Sequence, residues 1–317
     1  MTIYRYKIKP HSAFATPMRS DTLYGQLLCA AAELNGESGV ETLITQFKEN
    51  NPPIILSSAF PAGKLPMPVL PGIKRTQFKK LASETMFDDL SKHKRFRQKR
   101  FLSTTDWMQL AGQMSSLKLY QHDTQKPEDN SETTNKQDQD ARRTMHNCID
   151  RNTNRVVEGG LYSEEAHYFK PDFTYDLYVK TADSDLFERL LNHVATVGFG
   201  ADASSGKGQF EFAKDEAFDD TMFNHQGNAV MNLSVCIAEE TEQFSGTWNL
   251  FTKLGKVWSG FGETNPFKKP LIAFTEGSVF TRMPESSYVV QNIHSDEKYV
   301  QIGLPLVLPF TLEEVSQ

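Results

Sequence analysis

The spacing of apolar residues changes from strand-like to helix-like near the start of the chain. In residues 2–9, TIYRYKIK, apolar and polar side chains alternate, which predicts a half-buried strand. The apolar residues of 23–34 then recur every three or four positions, which predicts an amphipathic helix. Ser20 or Asp21 is placed to cap this helix, and Gly36 is placed to end it.

The same reasoning predicts the later elements. Residues 155–169 and 173–183 have the composition of strands, and Gly159-Gly160 is a candidate turn or bulge in the first of them. The segment SDLFERLLNHVATV predicts an amphipathic helix with Ser184 at its cap. The remaining predictions are a helix over 40–50, strands over 54–60 and 208–215, a mixed segment over 248–258, and strands near 228–240, 270–282 and 298–308.

This order of elements predicts an α+β fold of two units of β-α-β character, residues 1–215 and 216–317. A helical, basic insertion is expected over 72–146 of the first unit. Within it, the stretch from Gln121 to Arg143 has no large apolar residue. A segment of this composition cannot bury enough surface to offset its ordering entropy, so we predict a disordered loop at about residues 121–141.

Composition and charge limit the class of protein. The chain has 317 residues, 38% of them hydrophobic, and a net charge of −6, which is ordinary for a globular protein and argues against indiscriminate nucleic-acid binding. No apolar run is long enough to span a bilayer, and the polar start does not resemble a signal peptide, so we expect a cytoplasmic protein without membrane partners. Three scattered cysteines indicate neither disulfides nor a zinc site, and no cofactor is expected.

One part of the insertion departs from the acidic average. Between Gly72 and Phe101 lie ten Lys or Arg residues and three acidic ones. Such a block is typical of a surface that binds a polyanion, although a solvated helical face has the same composition. Aromatic side chains that stack on bases are also available, at Phe78, Phe96, Phe101, Tyr120 and Tyr162.

The most unusual stretch is the glycine-rich loop, VGFGADASSGKGQFEF, residues 197–212. It has neither the spacing of a Walker motif nor that of a Rossmann motif, and it runs helix–loop–strand where both motifs run strand–loop–helix. Backbone amides and the Ser204 and Ser205 hydroxyls are therefore expected to bind phosphate oxygens. A helix cap followed by a β-bulge is the alternative. On the phosphate hypothesis, valine at Gly206 and Gly208 would spare folding.

Several segments together resemble the RAMP superfamily of CRISPR-associated proteins, most of all the fourth subunit of the Csm (type III-A) effector complex. The resemblance covers about residues 1–70 and 147–213. It is carried, in family order, by SDTLYGQLLCAAAEL, SSAFPAGKLPMPVLP, IDRNTNRVVEGGLY and GFGADASSGKGQFEF.

The resemblance implies two ferredoxin-like (RNA-recognition-motif-like) domains and a non-catalytic role. The implied subunit holds the 5′ handle of the crRNA, caps that end of the complex, and bridges the large polymerase-like subunit and the adjoining backbone subunit. The candidate RNA-binding residues that it implies are Arg19, Ser20, Arg151, Asn152, Arg155, Gly198, Gly200, Ser204, Ser205, Gly206, Lys207 and Gly208. The basic block adds Lys94, Arg95 and Arg97.

Other functions remain open at the level of sequence. RAMP relatives that cleave the crRNA precursor use a general base, and His11, with Lys9 and Tyr24 nearby in sequence, is the best placed histidine. The trio in HNCID, residues 146–150, resembles a metal motif but has no second cluster, so no metal site is predicted. A five-prime-end subunit of a type I complex and a protein-only adaptor are the further alternatives.

Overall fold

The structure is a computed structural model that describes residues 1–74, 76, 86–126, 139–238, 243–257, 265–283 and 288–313. Among these residues the α-helices are α1 (Ser20–Lys48), α2 (Met86–Gln98), α3 (Thr104–Leu110), α4 (Ser116–Gln125) and α5 (Ser184–Val197). The strands of the first half are β1 (Thr2–Pro10), β2 (Ile54–Leu56), β3 (Phe60–Pro61), β4 (Lys64–Pro66), β5 (Phe101–Ser103), β6 (Gln139–Asp150), β7 (Arg155–Phe169), β8 (Tyr175–Thr181) and β9 (Phe210–Lys214). The second half contains β10 (Ala229–Asn232), β11 (Ser245–Thr247), β12 (Leu250–Lys253), β13 (Leu271–Phe274), β14 (Val279–Arg282), β15 (Val289–Val290), β16 (Gln301–Ile302) and β17 (Val307–Phe310).

A five-stranded antiparallel sheet organises the first half. Its order is β2-β8-β1-β9, and β3 also pairs with β8. The alternation predicted for β1 is confirmed, because Tyr6 and Ile8 are completely buried. They belong to a first hydrophobic cluster with residues of α1 and α5, such as Leu23 and Phe187. The predicted break at Gly36 is also confirmed, since this residue has φ 73° and kinks α1 into two segments.

Two predicted helix caps are wrong. Asp183, not Ser184, caps α5, because its carboxylate accepts a hydrogen bond from Leu186 N at 2.9 Å. At the start of α1 the cap position is Arg19, which makes no side-chain cap bond. The Ser20 hydroxyl accepts instead from Val235 N at 2.8 Å, which ties the start of α1 to the second half of the chain.

Strands β6 and β7 form a long two-stranded antiparallel ribbon, here called the arm (Gln139–Phe169). The ladder shifts register near Asn147, opposite the segment that contains Gly159, whose φ is 74°. This agrees with the predicted bulge. At the base of the arm His167 exchanges backbone hydrogen bonds of 3.0 and 2.9 Å with Phe14, which holds the arm against the first sheet.

The predicted disordered loop over 121–141 is wrong at both ends. Residues 121–125 complete α4, and 139–141 begin β6, while 127–138 lie outside the described residues. Between residues 86 and 125 the insertion is mostly helical as expected, with the short strand β5, which pairs with β4, as the exception. Its buried side chains, among them Trp107 and Leu119, join a second hydrophobic cluster.

The second half has a four-stranded sheet of order β11-β14-β10-β17 and two small ribbons, β12-β13 and β15-β16. After Val197 the described residues contain 3-10 turns but no α-helix, so the expected second unit of β-α-β character is not seen there. Both hydrophobic clusters take residues from each side of position 215. Ile302 lies in the first cluster, and Phe310 packs on Trp107 in the second. None of the described helices has the length and apolar character needed to span a bilayer.

A buried carboxylate holds the insertion together. Asp106 accepts hydrogen bonds from Ser103 Oγ at 2.6 Å and from Lys126 Nζ at 2.5 Å, and its other oxygen lies 2.8 Å from His122 Nε2. Burial acts to raise the pKa of Asp106, but the hydrogen bonds from Lys126, Ser103 and His122 outweigh it and lower the pKa to about 2. This group joins α3 to the end of α4, so residues assigned by sequence to a loop contribute to packing.

Replacing Asp106 by Asn should lower the free energy of unfolding at pH 7 by about 1–3 kcal/mol, since charge-assisted bonds are lost in a buried site. The folded-state pKa lies below the unfolded value of 3.8, so the stabilisation is present above that pH and is lost as the pH falls through about 2. Urea unfolding of the Asp106→Asn and wild-type proteins between pH 7 and about pH 2 measures this. The exposed Asp172→Asn is the matched control, and an Asp106 variant as stable as wild type at pH 7 would contradict the assignment.

Candidate nucleic-acid interface

The glycine-rich loop is folded back on itself. Phe199 is fully buried, and its amide donates to Gly208 O at 2.8 Å. The amide of Gly208 in turn donates to Ala13 O at 2.9 Å. The buried side chain of Phe199 and its hydrogen bond to Gly208 therefore close the loop. The residues between them form a short surface loop.

Three of the glycines are required by close packing. A Cβ on Gly198 would lie 2.8 Å from Lys207 O, at φ 106°. A Cβ on Gly208 would lie 2.1 Å from Phe199 O, and φ there is 76°. A Cβ on Gly200 would lie 2.6 Å from Thr16 Cβ, at φ 82°. Gly206, at φ 88°, faces open space. The expectation that valine at Gly206 and Gly208 would spare folding is therefore wrong for Gly208.

Most loop amides already have partners within the protein. The Ser205 and Gly206 amides donate to Asp202 O at 3.0 Å and to Ala203 O at 2.9 Å, and the Gly198 amide caps α5 by donating to Val194 O at 2.8 Å. The capping interpretation is thus confirmed for Gly198. Between α5 and β9, the exposed residues of the loop are Ala201 and residues 204–206, which form its rim.

Lys207 connects the loop to the middle of the arm. Its Nζ lies 2.7 Å from Glu164 Oε2 and 3.1 Å from Asp202 Oδ2. The hydrogen bond to Glu164 raises the pKa of Lys207. The same Glu164 oxygen also lies 3.3 Å from His146 Nε2. A phosphate at Lys207 would have to displace these carboxylates. The sequence analysis did not identify Glu164 as part of the site, because no local pattern relates it to Lys207.

Arg19 and Ser20 are engaged inside the protein. Arg19 forms a bidentate pair with Glu276, at 3.0 Å from Nε to Oε1 and 2.5 Å from Nη2 to Oε2, and lies 4.2 Å above the ring of Phe251. Ser20 is completely buried, and its amide donates to Ser58 Oγ at 3.0 Å. Ser20 therefore cannot contact RNA in this structure, and its assignment as a candidate RNA-binding residue is wrong.

The other central candidates lie at the tip of the arm. Arg151 and Asn152 are in the turn between β6 and β7, Arg155 begins β7, and all three are exposed. The Asn152 amide donates to Asp150 Oδ1 at 2.8 Å, and Asn154 has φ 51°, so the turn is tight. Within the described residues no ion pair is formed by Arg151 or Arg155.

The basic candidates Lys94, Arg95 and Arg97 are exposed on α2. Phe96 faces the other way and packs on Tyr120, with ring centroids 5.4 Å apart. Helix α2 is thus amphipathic, with an apolar side that joins α4 and a cationic side toward solvent.

The aromatic candidates are mostly structural. Phe101 is partly buried in the second cluster, and Tyr120 is buried beside Phe96. Tyr162 is exposed on the arm and stacks on His146 at 5.4 Å. Phe78 lies outside the described residues.

His11 lies at the surface beside a carboxylate. Its Nε2 is 3.2 Å from Glu211 Oε2, and Lys9 Nζ is 3.4 Å from the other oxygen of Glu211. Tyr24 does not join His11 and Lys9 at the surface. It is buried, and its hydroxyl accepts a hydrogen bond from Leu56 N at 3.0 Å. The described residues contain no cluster of three His, Cys, Asp or Glu side chains arranged to hold a metal ion.

Solved structures resemble this chain, although sequence comparisons find no match. No family model matches the sequence, and no curated protein matches it. A chain in the crystal structure of a Csm1–Csm4 cassette in complex with pppApA is 18% identical, with a TM-score of 0.58 over 99% of this chain and 100% of that chain. A chain in the Csm3–Csm4 subcomplex of the type III-A CRISPR–Cas interference complex is 16% identical, with a TM-score of 0.54 over 97% and 99% of the two chains. The chain therefore has a Csm4-like fold along its whole length.

Alanine substitutions at Gly206 and at Gly208 should separate the cost of a positive φ from the cost of a steric clash between Cβ and the Phe199 backbone. Both positions have positive φ, which costs an L-residue about 1–2 kcal/mol. At Gly208 the Cβ also overlaps the Phe199 backbone, which adds about 1–3 kcal/mol. We expect Gly208→Ala to lower the free energy of unfolding by clearly more than Gly206→Ala in urea titrations. Equal losses for the two variants would show that the loop backbone is not packed as described.

Proposed function

We propose that the chain is a non-catalytic subunit of a type III CRISPR effector complex, where it binds the 5′ handle of the crRNA and caps that end of the assembly. The observation that carries this proposal is the Csm4-like fold over the whole chain. The similar chains come from a Csm1–Csm4 cassette and a Csm3–Csm4 subcomplex. By analogy, this chain bridges a large polymerase-like subunit and a backbone subunit.

The sheet order supports a ferredoxin-like first domain. Strands and helices follow the order β1-α1-β2-β8-α5-β9, with the insertion and the arm placed between β2 and β8. A β-α-β-β-α-β order with an antiparallel sheet is the ferredoxin-like pattern. We assign the four-stranded sheet of the second half to the second domain of the pair, with the boundary near residue 215.

The arm is the element best suited to contact RNA. Its tip carries exposed Arg151 and Arg155, and its side presents Tyr162 stacked on His146. Single-stranded RNA is bound by cations along its backbone and by aromatic rings that stack on its bases, so one element supplies both kinds of contact. The cationic side of α2 and the exposed residues of the glycine-rich loop are further candidate contacts for RNA.

One observation favours cleavage of a crRNA precursor as a second candidate function. His11 and Lys9 share the carboxylate of Glu211 at the surface, beside the end of the glycine-rich loop. An oriented histidine with a nearby lysine is a possible general base with a cation for the transition state. Tyr24, the third group suggested by sequence, is buried away from this trio. We therefore retain the non-catalytic role.

Removing the two tip cations should weaken RNA binding. Filter binding of a labelled repeat-derived RNA to Arg151→Ala/Arg155→Ala is expected to show a loss of about tenfold and a salt slope lower by about 1.4, since each phosphate contact to a single strand contributes about 0.7. Arg142 and Arg143 lie on the same arm but pair with Asp140 and Glu165, so their double alanine variant is the matched control. Equal losses for both pairs would mean that only general charge matters, and no loss for either would remove the arm from the interface.

Incubation of the purified protein with the same RNA tests the absence of catalysis. We expect no specific cleavage by the wild type and none by His11→Ala, while RNA affinity changes by less than about threefold, as for a single surface charge. Specific cleavage that His11→Ala abolishes would establish the processing enzyme instead.

A further inference from the structure

The ribbon of β12 and β13, here called the C-terminal hairpin (249–257 with 265–274), has one packed face and one open face. Phe251 lies opposite Ala273 in the ladder, and both pack on Val235 and Ile237. Along β12 the exposure alternates, so the other side chains point to solvent. Leu250 and Ile272 lie on the open face of the ladder, and Leu254 and Phe267 lie just beyond its end. All four of these large apolar residues are 52–74% exposed.

The hairpin is held firmly, so its open face has a fixed shape. Lys253 Nζ lies 2.5 Å from Asp21 Oδ2 at the start of α1. Lys268 Nζ donates to Val300 O and to Gln301 Oε1, each at 3.2 Å. A surface that is already ordered before binding loses little entropy on association, which favours its use as an interface.

Charge distinguishes this hairpin from the rest of the molecule. Its described residues contain four lysines and no carboxylate, whereas the whole chain has a net charge of −6. Lys256 and Lys269 are exposed, and the ammonium group of Lys256 lies 5.1 Å from the centre of the Phe267 ring. The open face is thus an apolar centre with cations at its edge.

The side-chain types on this face decide which class of partner it fits. Surfaces for single-stranded RNA combine cations with aromatic platforms, but three of the four apolar residues here are aliphatic. Exposed aliphatic residues in one contiguous group are typical of the centre of a protein interface. A second copy of this chain would place lysines close to lysines, which is unfavourable.

We propose that the open face of the C-terminal hairpin is the docking surface for a neighbouring protein subunit whose own surface has an apolar centre and carboxylates at its edge. The inference rests on the proposed function, because it takes that neighbour to be a subunit of the same effector complex. Leu254 and Ile272 supply the apolar contact, and Lys256 supplies the charge contact.

Pairwise binding of full-length proteins tests this. The chain is titrated against the separately purified large subunit, the backbone subunit and the repeat-derived RNA. The variants are Leu254→Ser/Ile272→Ser and Lys256→Glu. Their matched controls are Leu34→Ser/Met108→Ser, at exposed apolar sites on α1 and α3, and Lys48→Glu at an exposed cation. Thermal melts of all variants confirm that each is folded.

We expect each hairpin variant to lose at least about tenfold in affinity for one protein subunit, as for residues central to an interface, while RNA affinity and both controls stay within about twofold. Hairpin variants that keep wild-type affinity for both the large subunit and the backbone subunit would overturn this inference and leave the proposed function intact. A loss confined to RNA, or a monomer–dimer equilibrium that the variants abolish, would also overturn it. A folded wild type that binds neither subunit would overturn the proposed function and the inference together.

Discussion

The ion pair between Arg19 and Glu276 is the constraint on which the arrangement of the two halves depends. It joins the start of α1 to the turn between β13 and β14, and Glu276 also accepts from Ser58 Oγ at 2.5 Å. Burial acts to raise the pKa of Glu276, but the hydrogen bond and the charge of Arg19 keep it below its usual value. Removing one member of such a buried pair leaves an unpaired charge and costs about 3–5 kcal/mol.

Short-range patterns were enough to predict much of the first sheet. Alternation identified β1 because one face of that strand packs on helices and the other does not. The capping residue of α5 was missed by one position, since Asp183 and Ser184 are both good caps and only the backbone geometry distinguishes them. Strand β6 was missed because both of its faces are largely exposed, so the sequence of residues 139–150 has no apolar alternation to detect.

The candidate site was harder to predict, because the sequence does not show where donors and cations are already bonded. The sequence suggests that the glycine-rich loop is a set of free amides, but the Gly208 amide donates to Ala13 O, and the Ser205 and Gly206 amides donate to carbonyls within the loop. The sequence suggests that Lys207 is a free cation, but its ammonium group forms an ion pair with Glu164 of the arm. Arg19 and Glu276 are separated by 257 positions, so no local pattern relates them.

The shared hydrophobic clusters have a consequence for synthesis on the ribosome. Strand β1 is synthesised well before its edge partner β9 at residues 210–214, and Ile302 of the same cluster follows later still. At about 5–20 residues per second, roughly ten seconds or more separate the synthesis of β1 from that of β9. The apolar face of β1 is therefore completed only by residues far along the chain, so a partly synthesised chain exposes apolar surface that the folded protein buries.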